Sequence, residues 1–263
     1  MDISDIINAA RNFQYDYIFF DAIFLTIWVL ILIKNKKWSA LKAGILFGIF
    51  VYFIDAIWWW NSPAGSNYPA GTYIREYWIG GIQMPHPLGE YFLIKFGCDF
   101  MMTISYAMYA FAWLWIIFEN IEKRDKKEII LYTSLYFGFW MLTPFLSLWI
   151  PISDVMVNTV RHMDTQLIAW IVNVIIGYII LAIIYGTNKF KRKKPIIIVY
   201  VFIIGLTQSF FMEFPLFLSG IRPTGVIFLI YEVFFLFNQG APYLFILWDL
   251  VIPWLHKKWS ERK

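Results

Sequence analysis

Four carboxylates, Asp55, Asp99, Glu213 and Glu232, each interrupt a long apolar run. An ionised side chain in hydrocarbon costs about 2.5–3.5 kcal/mol or more, so such groups face a protein interior or a cavity and tend to serve function. Counted inward at ~1.5 Å per residue, all four lie roughly 7 to 12 Å from the same ends of their helices. The opposite halves hold little that compares, apart from Asp249 near the boundary and the Asn238-Gln239 pair at mid-depth. A proton or ion path would need polar groups at several depths, so this one-sided pattern points to a cavity closed on one side. Carboxyls crowded into a dry site titrate apart, one keeping its proton while its neighbour is ionised, which equips them for general acid and base work.

Within that reading Glu232 and Glu213 are the expected acid/base pair, and Asp55 and Asp99 tune them. Lys95 supplies the counter-charge. Lys95, Asn238, Gln239, Gln208, Asn173 and Tyr243 are the expected substrate-binding groups. Aromatic residues make up 21% of the chain, and their π faces can stabilise a cation. The structural alternative is that Lys95 pairs with Asp99 or Glu213 and the acids cap backbone groups in a dry network.

The elements that must hold these groups are membrane spans. Of 263 residues, 60% are hydrophobic and 15% charged, against about 25% charged in an average soluble domain. Seven windows are long enough for a ~30 Å hydrocarbon core: Tyr17 to Ile33, Ala40 to Trp60, Tyr91 to Phe118, Ile129 to Ile150, Gln166 to Gly186, Pro195 to Gly220, and Val226 to Trp254. The expected fold is therefore an all-α polytopic membrane protein, one domain over residues 1–263, multi-pass in the cell membrane. In the last span Asn238-Gln239-Gly240-Ala241-Pro242 predicts a break near Gly240.

Basic residues set the orientation, because cytoplasmic loops retain Lys and Arg. Lys34, Lys36, Lys37 and Lys42 follow the first span. Lys123, Arg124, Lys126 and Lys127 follow the third, and Lys189, Lys191, Arg192, Lys193 and Lys194 follow the fifth. Lys257, Lys258, Arg262 and Lys263 form the tail, for 17 of the 22 basic residues. The other five are Arg11, Arg75, Lys95, Arg161 and Arg222. This places the N-terminus outside and the C-terminus in the cytoplasm, and it accounts for the basic balance without nucleic acid.

Ile3, Ile6, Ile7, Ala10 and Phe13 recur at helical spacing, which predicts a short interfacial helix over residues 1–16 or a helical lead-in to the first span. Residues 61–90 contain Pro63, Pro69, Gly71, Gly80, Gly81, Pro85 and Pro87 among the aromatics Tyr68, Tyr73, Tyr77 and Trp78, and are expected to form a cap over the outer face. The Trp58-Trp59-Trp60 run reads as an interfacial belt. Cys98 is the only cysteine, which leaves no disulfide framework. His86 and His162 lie in separate loops without ligand spacing, so no metal is expected. A retinal Schiff base would need a lysine that the last span lacks, and no other cofactor is implied.

Gly89 and Gly225 each open a G-x-x-F-L-I segment, and Phe53-Ile54-Asp55 resembles Phe211-Met212-Glu213. These matches suggest a three-plus-one-plus-three arrangement of parallel repeats, a known transporter device. The leading expectation for function is a membrane-embedded enzyme of isomerase or cyclase type, working by carboxylate acid/base chemistry on an apolar, amphiphilic or isoprenoid-like membrane lipid. The alternatives are a small transporter of a polar or cationic solute, hinged at the Asn238-Gln239-Gly240 break and Pro215, and a non-catalytic sensor or assembly partner.

Overall fold

The computed structural model describes residues 8–162, 164–190, 193–223, 225–236 and 238–261, with the side chains of residues 8, 9, 165, 166 and 236 left aside. Ile3, Ile6 and Ile7, and the basic residues Lys191, Arg192, Arg262 and Lys263, lie outside the described residues. The chain is mostly helical, at 72%.

Among the described residues, seven helices are long and apolar enough to cross a membrane: α1 (Tyr17–Lys34), α2 (Trp38–Trp59), α3 (Gly89–Lys123), α4 (Lys126–Trp149), α5 (Leu167–Gly186), α6 (Ile196–Leu218) and α7 (Val226–Ser260). The bundle is organised around α3 rather than α7. In its most apolar stretch 83% of residues are buried, against 28–33% in the other six. The run from Tyr106 to Phe118 is apolar on every side, as a helix enclosed by its neighbours must be, and Ala107, Tyr109, Ala112 and Ile116 are fully buried. The helix α2 lies directly against it. A β-carbon on Gly44 would come within 3.1 Å of the Met108 backbone, and one on Gly48 within 3.1 Å of the Ile104 carbonyl oxygen. This small-xxx-small spacing lets two membrane helices touch through their backbones.

Wide turns of π-helix interrupt several spans, including Phe53–Trp59 in α2, Met101–Ser105 in α3 and Glu232–Leu236 in α7. Such bulges are frequent at functional sites, and the first and third carry Asp55 and Glu232. Below Glu232, α7 is interrupted by a turn at Asn238 and Gln239 and resumes at Gly240.

The fold is not all-α. The strands β1 (Asn8–Gln14), β2 (Arg75–Ile79), β3 (Ile82–Gln83) and β4 (Met156–His162) form one antiparallel sheet in the order β1-β4-β2-β3. They come from the segments before α1, between α2 and α3, and between α4 and α5, so the sheet covers one end of the bundle. Residues 8–14 therefore form a strand, not the helix expected over 1–16. Of the apolar residues at helical spacing only Ala10 and Phe13 fall within this strand, on opposite faces of it, while Arg11 and Phe13 turn inward. The 61–90 segment forms the cap around β2 and β3, which are joined by Gly80 and Gly81 at φ 60° and 80°, the left-handed values of a tight hairpin.

Alternation decides what this sheet shows to the helices. Arg75, Tyr77 and Ile79 of β2, and Val157 and Thr159 of β4, are buried. In register, Arg75 is opposite Arg161 and Arg11 is opposite Thr159. Three arginines thus share the inward face. A fourth, Arg222, comes from the α6–α7 loop, which is docked beside β1 by a 2.9 Å hydrogen bond from the Asn12 N–H to the Ile221 carbonyl.

Candidate functional site

Below the sheet lies a cavity of about 490 Å³ between α2, α3, α5, α6 and α7. Its walls are largely apolar, supplied by Phe47, Phe50 and Ile54 of α2 and Ala110 and Phe111 of α3. Gln208, Gln239 and Tyr243 give polar groups towards the middle of the bundle, and Asp55, Tyr106, Arg11 and Arg161 towards the sheet. The volume falls within the ~300–1,000 Å³ usual for ligand sites.

Each of the four expected acids has a cationic partner. Asp55 sits between two cross-strand arginines, 2.8 Å from the Arg161 guanidinium and paired also with Arg75. Like charges opposite one another on neighbouring strands repel, and the carboxylate between them offsets this. Glu213 accepts from Arg11 at 3.2 Å and from Arg222 at 3.0 Å, and Arg222 also pairs with Glu232 at 2.6 Å. Arg222 thus bridges the Glu213 and Glu232 carboxyls.

The third group is separate. Lys95 pairs with Asp99 one turn further along α3, and Asp99 also accepts a 2.8 Å hydrogen bond from the Tyr77 hydroxyl. The Lys95 ammonium lies 3.9 Å from the centre of the Trp60 ring. His86 is stacked on the other aromatics of this corner, with ring centres 3.9 Å from Trp60 and 3.7 Å from Tyr73. His162 bonds Glu76 at 2.9 Å, so the two histidines serve different parts of the cap.

Among the site residues read from the sequence, Asp55, Gln208, Gln239 and Tyr243 line the cavity. Asn173 lies just behind: its amide donates to Gln239 at 2.7 Å, and it accepts from the Tyr243 hydroxyl at 2.8 Å. Asn238 is turned aside, accepting from Tyr178 at 2.8 Å and filling the space left by Gly205. Glu213 and Glu232 stand behind Arg11 and Arg222. Lys95 and Asp99 stand under the cap, with Trp60 and Tyr77 packed over the lysine.

The groups that sequence reasoning missed are Arg11, Arg75, Arg161, Arg222 and Tyr106. The signal for the arginines was present. They are four of the five cations that break the basic-loop pattern, and the fifth is Lys95. Every one of the five is buried or half-buried and paired with a carboxylate.

Crowding leaves its mark on these cations. Burial, together with Arg75, Arg11 and Arg222, brings Arg161 down to about 10 despite the opposing pull of Asp55, so it remains charged at neutral pH. Arg75 and Arg222 are held above their ordinary range, because the carboxylates beside them outweigh burial. Tyr106 lies within electrostatic reach of Glu213 and Glu232 while also lining the cavity. No family model, curated protein or solved structure matches the chain.

Proposed function

We propose that this chain is a membrane-embedded enzyme that takes an apolar, isoprenoid-like chain into the ~490 Å³ cavity and rearranges it by proton transfer. The observation that carries the reading is that Tyr106 lines the cavity while lying within electrostatic reach of the Arg222-bridged Glu213–Glu232 pair. A proton held by the pair reaches a substrate carbon through the tyrosine hydroxyl, and a proton lost from another carbon restores it. Such an isomerisation or cyclisation balances without a co-reactant. The cationic intermediate would be flanked by Asp55 and by the π faces of Phe47, Phe111 and Trp170. Relative to the sequence reading, Glu213 and Glu232 keep the acid/base role but act through Tyr106, and Asp99 with Lys95 braces the cap.

The basic-loop pattern supports a cell-membrane protein with the sheet end outside and the C-terminus in the cytoplasm. The repeat proposal gains one support. Asp55 near the end of α2 and Glu213 near the end of α6 occupy matching positions, and each is held by two arginines. Helices α1–α3 and α5–α7 would then be parallel repeats around α4.

A second reading is favoured by the complete ion pairing of the acids: a non-catalytic lipid-binding sensor. The test begins with lipid extraction and mass spectrometry of the purified protein, followed by incubation with the identified lipid class. The enzyme reading expects conversion by the wild type, with Tyr106→Phe and Glu232→Gln each lowering turnover by ~10²-fold or more, the scale of a lost general acid, while lipid retention persists. Retention without conversion would replace it with the sensor.

A further inference from the structure

A second, smaller void adjoins the cavity at its sheet end. It is lined by Arg11, Arg75, Arg161 and Arg222 with Met102, Thr159 and Val160, and Arg11, Met102 and Arg161 also line the large cavity. The void measures about 10 Å³, room for about one oxygen-sized atom. Four arginines therefore line a space that shares part of its wall with an apolar chamber.

The charges around it do not cancel. Four arginines face three carboxylates, Asp55, Glu213 and Glu232. The cluster carries a positive charge in excess, inside a structure where burial makes an uncompensated charge expensive. Lys95 and Asp99 form a separate, balanced pair. Guanidinium is the side-chain group whose fork matches the oxygens of a phosphate.

We propose that this void seats the phosphate head of an amphiphile whose apolar chain fills the adjoining cavity. One phosphate oxygen would enter the four-arginine space, and the phosphorus would sit at its mouth between Arg11 and Arg161. The head supplies negative charge to a cluster with more arginines than carboxylates, and the tail displaces water from Phe47, Phe111 and Trp170. The inference rests on the reading of the cavity as the place of an apolar chain, and it narrows the substrate class to isoprenoid-like phosphates.

The test uses the full chain, delipidated in detergent, titrated with farnesyl phosphate, farnesol and inorganic phosphate. Binding is followed by tryptophan fluorescence, since Trp59 and Trp170 line the cavity. Farnesyl phosphate should bind roughly tenfold or more tightly than farnesol, the scale of a charge-assisted contact. Arg161→Gln should erase most of that ratio by weakening farnesyl phosphate alone, and Arg161→Lys should keep part of it. Equal binding of farnesol and farnesyl phosphate would overturn the head-group inference while leaving the apolar cavity in place. Binding of neither would remove the cavity reading with it. Inorganic phosphate binding as tightly as farnesyl phosphate would mean a free-anion site and overturn the lipid head. If Arg161→Gln fails to fold, the wild-type comparison of the three probes still decides.

Discussion

Asp55, Asp99, Glu213 and Glu232 are each held by a cation, whereas neither ring nitrogen of His86 has a hydrogen-bond partner among the described residues. His86 lies between the rings of Tyr73 and Trp60, with Lys95 on the far side of Trp60. Burial, and then Lys95, hold its imidazole below the ordinary histidine range, with Glu76 pulling the other way. The folded state therefore prefers the neutral ring. Its contribution is complete above the unfolded value of about 6.5 and is lost as pH falls through the lower folded value. Thermal unfolding measured between pH 7.5 and 5.5 should show the wild type losing stability on acidification and His86→Phe losing less. Parallel curves would show that the stack does not sense pH. Residue-scale reading of the sequence found the acids because charged groups in apolar runs announce themselves. It missed the arginines because they lie in segments that carry no hydrophobic signal, and in the sequence they served only as exceptions to the orientation rule.

At the scale of elements, helices were legible and strands were not. Apolar windows of about 20 residues define the spans, and their observed bounds differ from the expected ones by a few residues. The strands are short, and their buried faces mix Arg11, Thr159 and Arg161 with Phe13, Tyr77 and Val157. A polar inward face hides the two-residue period that marks a strand. In the sequence the polar interruptions of α7 stand out more than the uniform apolar surface of α3, although α3 is the more buried helix. What fixes α3 at the centre is the pair Gly44 and Gly48 on α2. Gly48→Val should cost about 1–3 kcal/mol by overpacking, because its β-carbon meets the Ile104 backbone and not a side chain that can turn away. The check is the thermal midpoint of the purified variant against Gly138→Val, whose β-carbon meets nothing within 4 Å. Equal midpoints for the two variants would refute the close α2–α3 contact.

At the scale of the molecule, the proposed orientation and the closed inner half can be tested together. Cys98 is buried and is the only cysteine, so Cys98→Ala provides a clean background. A cysteine at exposed Gln83 should label from outside the cell, and one at exposed Lys258 only from the cytoplasm. A cysteine at Val201, which is 1% exposed in the half of α6 away from the sheet, should stay protected. Cytoplasmic labelling there would favour a transporter that opens inward, and reversed labelling at the first two positions would invert the topology. The architecture also dictates an order of assembly. Arg11 and Glu213 are 202 residues apart in the chain, and β1 must pair with β4, so the first strand is made long before anything it binds. During synthesis its edge and its charge stay exposed until α4, then β4, then α6 are in place. The Glu213 end of the site is thus the last part to close, and a chain stopped before α6 would hold Asp55, Arg75 and Arg161 but lack Glu213, Arg222 and Glu232.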